Sequence, residues 1–239
     1  MFEEKLPDNL RTLHLQEEDL RSKALELIAE DQGLPLHLDM IESAMDLCDL
    51  YRQVATNDED EKAVQLLSMR VFNALGASLK LALSGYSQNS ALIMRDILET
   101  VFLVGMFQRD RTAIKRWREA ASNREKDEFR PVNVRKFLDD HDGFTTRRRE
   151  KIYKMFSELA GHPSMNSMHM MRPVKGGDSV IGPFMEFSVL QAVLSEMGRL
   201  AVQVGEIVES FIPADFDQAT ASRAAFAEHK AQWIKVFYT

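Results

Sequence analysis

The 239-residue chain has a single cysteine, Cys48. That excludes an internal disulfide and any zinc site built on cysteine alone. No Gly-rich phosphate loop is present: Lys175-Gly176-Gly177 lacks the Gly-Lys-Ser/Thr ending and precedes no suitable helix. No Gly-x-Ser-x-Gly nucleophile elbow occurs either. Apolar runs stop short of the roughly 18 uncharged residues that a membrane-spanning helix needs. The acidic start, MFEEKLPDNL, lacks the basic-then-apolar order of a signal peptide. The expectation is a cytoplasmic protein that does not enter a membrane.

What is present is ordinary globular material, 45% hydrophobic and 28% charged, enough for a packed core. The net charge of −7 is unevenly spread, because residues 109–154 carry 15 Lys/Arg against 9 Asp/Glu. Such a region suits either a solvated helical arm or a face for phosphates. Nucleic acid is therefore a candidate partner through residues 109–154.

Periodicity predicts an all-α, multi-helix bundle built on antiparallel helical hairpins. Residues 1–56 read as an N-terminal helical extension and 57–239 as the main bundle, with a single overall domain as the alternative. Helices are expected over 8–30, 38–55, about 60–83, 87–108, 110–121, 131–140, 146–160, 185–211 and 217–237. Cys48 falls on an apolar face and reads as a small core residue. Ala74, Gly76, Ala77 and Ser78 are small enough for a neighbouring helix to approach closely. Gly85 suits the left-handed position past a helix end, and Ser87 reads as the next cap. The short turn makes 60–83 and 87–108 an antiparallel pair. Between 166 and 183 the Lys-Gly-Gly-Asp turn leaves a small β-hairpin and an irregular loop as alternatives.

The segment 84–108 is the most apolar helix, yet it carries Arg95 and Glu99 one turn apart. Apolar residues lie on both sides of its wheel, so both charges should be at least half-buried. Arg before Glu is the weaker order for helix support, so partners from other helices are expected. A register-fixing salt bridge, a ligand site and a dimer interface all remain open. Glu158 and His162 have a spacing that can place two ligands on one helical face, but no further ligand follows that pattern, so no metal is expected. Met165, Met168, Met170 and Met171 around His169 could hold a soft ion, although Met more often fills core gaps. No cofactor is expected.

Arg95-x-x-x-Glu99, then a basic middle, then Tyr153-Lys-Met-Phe-Ser157-Glu-Leu-Ala-Gly-His162-Pro-Ser164, form an ordered set. A Gly-Gly turn and a long apolar helix follow. Over residues 65–212 this resembles uncharacterised bacterial all-α proteins that look related to HEPN domains. The resemblance implies a homo-oligomer or protein-partner module, in a toxin–antitoxin or antiphage-type system, or a ribonuclease or RNA-binding protein. It brings Arg95, Glu99, Tyr153, Ser157 and His162 together as a candidate polar cluster. HEPN nucleases use Arg-x(4–6)-His, a spacing met here by Arg135 with His141 and by Arg223 with His229. A small-molecule or metal site at Arg95, Glu99 and His162 is the third reading.

Overall fold

In a computed structural model, which describes residues 7–161, 167–171 and 178–238, the chain folds as an all-α bundle. The helices are α1 (Asp8–Glu30), α2 (Leu34–Gln53), α3 (Glu59–Leu83), α4 (Ser87–Arg109), α5 (Thr112–Glu119), α6 (Asn123–Asp127), α7 (Pro131–His141), α8 (Arg148–Phe156), α9 (Phe187–Glu209) and α10 (Thr220–Phe237).

The architecture follows from where apolar stripes are wide. Helix α4 buries Met94, Ile97, Leu98, Val101, Phe102, Val104, Met106 and Phe107, so it faces neighbours on nearly every side. Helices α3, α9, α7 and α8 pack around it. Its antiparallel pairing with α3 starts from Gly85, whose φ of +86° is open to glycine at little cost. Close approach then brings the Ser78 hydroxyl to 2.9 Å from that of Ser90 and 3.1 Å from the Ser90 carbonyl. Helix α3 is long and apolar enough to cross a membrane, with a mean hydropathy of 1.3 over its richest stretch. Its apolar residues have partners in the bundle, since Val64, Val71, Leu75 and Ala82 join the main core.

Helix α2 makes its most extensive contact with α9. The boundary expected near residue 56 would cut through a shared core, because Met40, Ile41, Ala44 and Leu47 cluster with Met197, Leu200 and Val204. Of the first two helices α1 has the character of an outer layer, burying just Ala24 and Ile28. Helix α10 crosses α9 so closely that a methyl group on Gly205 would stand 2.0 Å from the Phe226 ring. It also ties down α2: Trp233 donates its indole N–H to Nδ1 of buried His37 at 2.7 Å. Phe237 stacks on the same imidazole. Burial pushes the His37 pKa down to about 4.

Local details depart from the sequence reading in four places. Residues 123–130, which fall in no expected helix, contain α6, started by a reciprocal Ser122/Glu125 capping box. Ser87 is already inside α4, whose cap is Tyr86 without a side-chain bond. Helix α8, expected to run to residue 160, ends at Phe156 and widens into a π-turn over Ser157–Gly161. In the 166–183 segment Ser167–Met171 form a 3-10 turn. Val180 donates back to the Met171 carbonyl, and no strand forms among the described residues. The Lys175-Gly176-Gly177 turn lies outside them.

Candidate functional site

Helices α4, α7 and α8 meet beside the π-turn, and there three long polar side chains converge. Arg95, in the middle of α4, donates from Nη2 to the Tyr153 hydroxyl at 2.5 Å. The same nitrogen stands 3.2 Å from the Glu99 carboxylate. Burial works against the Arg95 charge, but the hydrogen bond to Tyr153 and the field of Glu99 outweigh it and raise its pKa. Arg135 of α7 lays its guanidinium over the Tyr153 ring at 4.0 Å. The Arg95 guanidinium lies 4.9 Å from that ring centre. Tyr153 thus meets two cations, each drawn to the electron-rich ring.

The hydrogen-bond account of this cluster does not close. Arg135 is 9% exposed, and its Nη1 is buried with no hydrogen-bond partner. Arg95 Nε is buried and unpartnered as well. Among the described residues no carboxylate pairs with Arg135. The Tyr153 hydroxyl, accepting from Arg95, retains its own proton for donation. Among the described residues Glu99 is the carboxylate that meets Arg95, and Arg135 has none.

Gly161 shapes the rim. A methyl group there would come within 2.8 Å of Arg95 Nη1, so the π-turn ends in a residue small enough to let the guanidinium pass. An open groove of about 360 Å³, lined by Arg95, Asp96, Glu99, Leu92 and Ile93, reaches the cluster from the α4 side. A second, of about 370 Å³, reaches Arg135 from between α7 and α8.

The other sequence candidates divide clearly. Ser157 lies next to the cluster in sequence, but its hydroxyl donates to the Tyr153 carbonyl at 2.9 Å, serving its own helix. His162 and Ser164 lie outside the described residues, as does Met165, and Met168 and His169 are described in backbone only. Arg135 and His141 sit six residues apart on α7, a rotation of about 240°. While Arg135 is buried against Tyr153, His141 is exposed beside Asp142. Arg223 and His229 have the same offset on α10. Arg223 donates to the Ile212 and Pro213 carbonyls past the end of α9, and His229 pairs with Ser43 at 2.6 Å. Neither pair aims a guanidinium and an imidazole at one point. Burial pushes the Cys48 thiol up to about 11, which suits a core residue and not a nucleophile. No group of three or more His, Cys, Asp or Glu side chains that could hold a metal forms among the described residues.

A residue that sequence reasoning placed in the wrong company is Arg135. It is half of a nuclease spacing in the sequence, and in the structure it packs on the Tyr153 ring that Arg95 also meets. The available signal was its position: with Val134 and Leu138 it lies on the buried side of α7.

Much of the basic region proves to be spent on internal pairing. Arg149 bonds Asp139 at 2.6 Å and also Asp142. Arg109 bonds Asp142 with two nitrogens, at 2.9 and 3.1 Å. Arg116 spans Asp110 and Glu128, and Arg118 reaches Asp60 on α3.

Compared with known family models, with curated proteins and with solved structures, the chain finds no match in any of the three. The likeness to HEPN-related proteins therefore rests on the short motifs at Arg95–Glu99 and Tyr153–Ser164 alone.

Proposed function

We propose that the protein is a helical binding module that captures a small anionic ligand between Arg95, Tyr153 and Arg135. The observation that carries this reading is the buried Arg135 guanidinium, left without an ion-pair partner among the described residues and with Nη1 unbonded. A buried unpaired cation costs several kcal/mol. A protein keeps such a group where a ligand completes it. Two guanidiniums and a free phenolic proton present planar, directional donors of the kind that recognise carboxylate or phosphate oxygens.

The test is anion-dependent stabilisation of the full chain. Acetate or inorganic phosphate should raise the melting temperature of the wild type progressively. Occupancy at about a hundred times the dissociation constant adds roughly 2.7 kcal/mol. Arg135→Met and Arg95→Met chains should stay folded and lose that response. A wild type indifferent to both anions removes the reading.

A further inference from the structure

The anion site has an apolar continuation, and we infer that the ligand is an organic monoanion: a carboxylate carried on a flat apolar or aromatic body. This rests on the proposed function and names its ligand class. A groove of about 430 Å³ runs along α4 from the Asp96 and Glu99 positions, which also line the smaller opening onto Arg95. Both openings therefore share one wall. The far side is apolar, formed by Trp117 of α5, Phe129 and the start of α7 at Pro131 and Val134. Trp117 and Phe129 pack beside the buried Phe107 ring, at 5.6 and 6.5 Å between centres. Rings fixed in this way offer a flat face to a ligand at little cost in side-chain entropy.

Charge counting sets the head group. Across the cluster and this wall are three guanidiniums, Arg70 and Arg95 lining the openings and Arg135 over the Tyr153 ring, and two carboxylates, Asp96 and Glu99. Arg70 takes Asp96 at 2.5 Å and Arg95 takes Glu99 at 3.2 Å, so one positive charge is left, on Arg135. Asp139, one turn further along α7, does not supply the balance because it is bound by Arg149. One negative charge balances the set, while a dianionic phosphate would bring a surplus beside Glu99. A carboxylate also fits the planar guanidinium fork. Its body would then lie in the direction of Trp117 and Phe129, where burying a ring adds affinity in proportion to the apolar area covered.

The experiment is calorimetric titration of the full chain with acetate, 2-naphthoate, inorganic phosphate and 1-naphthyl phosphate. The inference expects 2-naphthoate to bind at least tenfold more tightly than acetate and more tightly than 1-naphthyl phosphate. Trp117→Leu should remove most of that advantage and leave acetate affinity unchanged. Phe129→Leu provides the same readout should Trp117→Leu fail to fold. Equal affinity for acetate and 2-naphthoate, both abolished in Arg135→Met, overturns the apolar body while the anion site stands. Preference for 1-naphthyl phosphate overturns the monoanion. Binding of 2-naphthoate that survives both Arg95→Met and Arg135→Met overturns a single ligand spanning the two places. If no anion binds at all, the proposed function itself falls.

Discussion

Two arginine clusters lie a short way apart on the same helices, and they are built on opposite principles. In one, Arg109 and Arg149 converge on Asp142, with Asp139 closing the set. Every guanidinium there has a carboxylate, and the network ties the end of α4 to α7 and α8. In the other, Arg95 and Arg135 both meet the Tyr153 ring, Glu99 pairs with Arg95, and two buried N–H groups are unbonded. The first arrangement is what a stable fold requires of buried charge. The second is left incomplete, and incompleteness of this kind is how a binding site differs from a strut.

The comparison breaks first on Arg149→Met. Removing that side chain strands buried Asp139 and leaves Asp142 to Arg109 alone, and chemical denaturation should register a loss of about 3 kcal/mol or more. A loss under about 1 kcal/mol would mean that the closed network is no strut.

Acid separates the network from the rest of the fold. Burial raises the Asp142 pKa, but its bonds to Arg149 and Arg109 outweigh this and hold the carboxyl below its ordinary 3.8. A depressed carboxylate contributes stability above that value and loses it as pH falls further. His37 acts at higher pH. Its folded value of about 4 lies below the ordinary 6.5, so the unfolded chain binds the extra proton between the two. Stability should therefore fall by about 3 kcal/mol as pH drops from 6.5 to 4. A His37→Gln chain should show a flat profile across that window. A slope that persists in it assigns the acid sensitivity elsewhere.

Tyr153→Phe sharpens the second cluster. It deletes the acceptor of Arg95 and the free phenolic proton while keeping the ring beside the cations. The expected cost in stability is about 1 kcal/mol, with anion affinity weakened roughly tenfold by calorimetry. Unchanged affinity would exclude the hydroxyl from the site. Gly161→Ala should have the smallest effect on stability, within about 0.5 kcal/mol, because the end of a flexible side chain yields to the new methyl. It should nonetheless weaken anion binding by shifting Arg95. Full affinity in that variant would show that the position of Nη1 is not critical.

How far the sequence spoke depended on range. Local periodicity located most helices, and Gly85 marked the α3–α4 turn because only a left-handed residue serves there. The wheel of α4 required Arg95 and Glu99 to be half-buried, and of the two Arg95 finds a partner on another helix while Glu99 pairs with Arg95 itself. The wheel could not say that Tyr153 is that partner, since the contact spans 58 residues, nor that Arg135 of α7 meets the same ring. Spacing misdirected the reading of Arg135 and His141, because six residues on a helix turn two side chains away from each other. The charge excess of residues 109–154 suggested a phosphate face, while tertiary pairing draws Arg109, Arg116, Arg118 and Arg149 into ion pairs. Composition cannot see pairing across helices. His37 gave no sequence signal, as its partner Trp233 lies 196 residues away.

The most direct measurement compares wild type and Arg135→Met by thermal denaturation, each with and without acetate at saturating concentration. The account predicts that Arg135→Met is at least as stable as the wild type without ligand, by up to about 2 kcal/mol, and that acetate stabilises the wild type alone. A variant that is as unstable as Arg149→Met, beside a wild type that does not respond to acetate, would make Arg135 a strut and contradict the account.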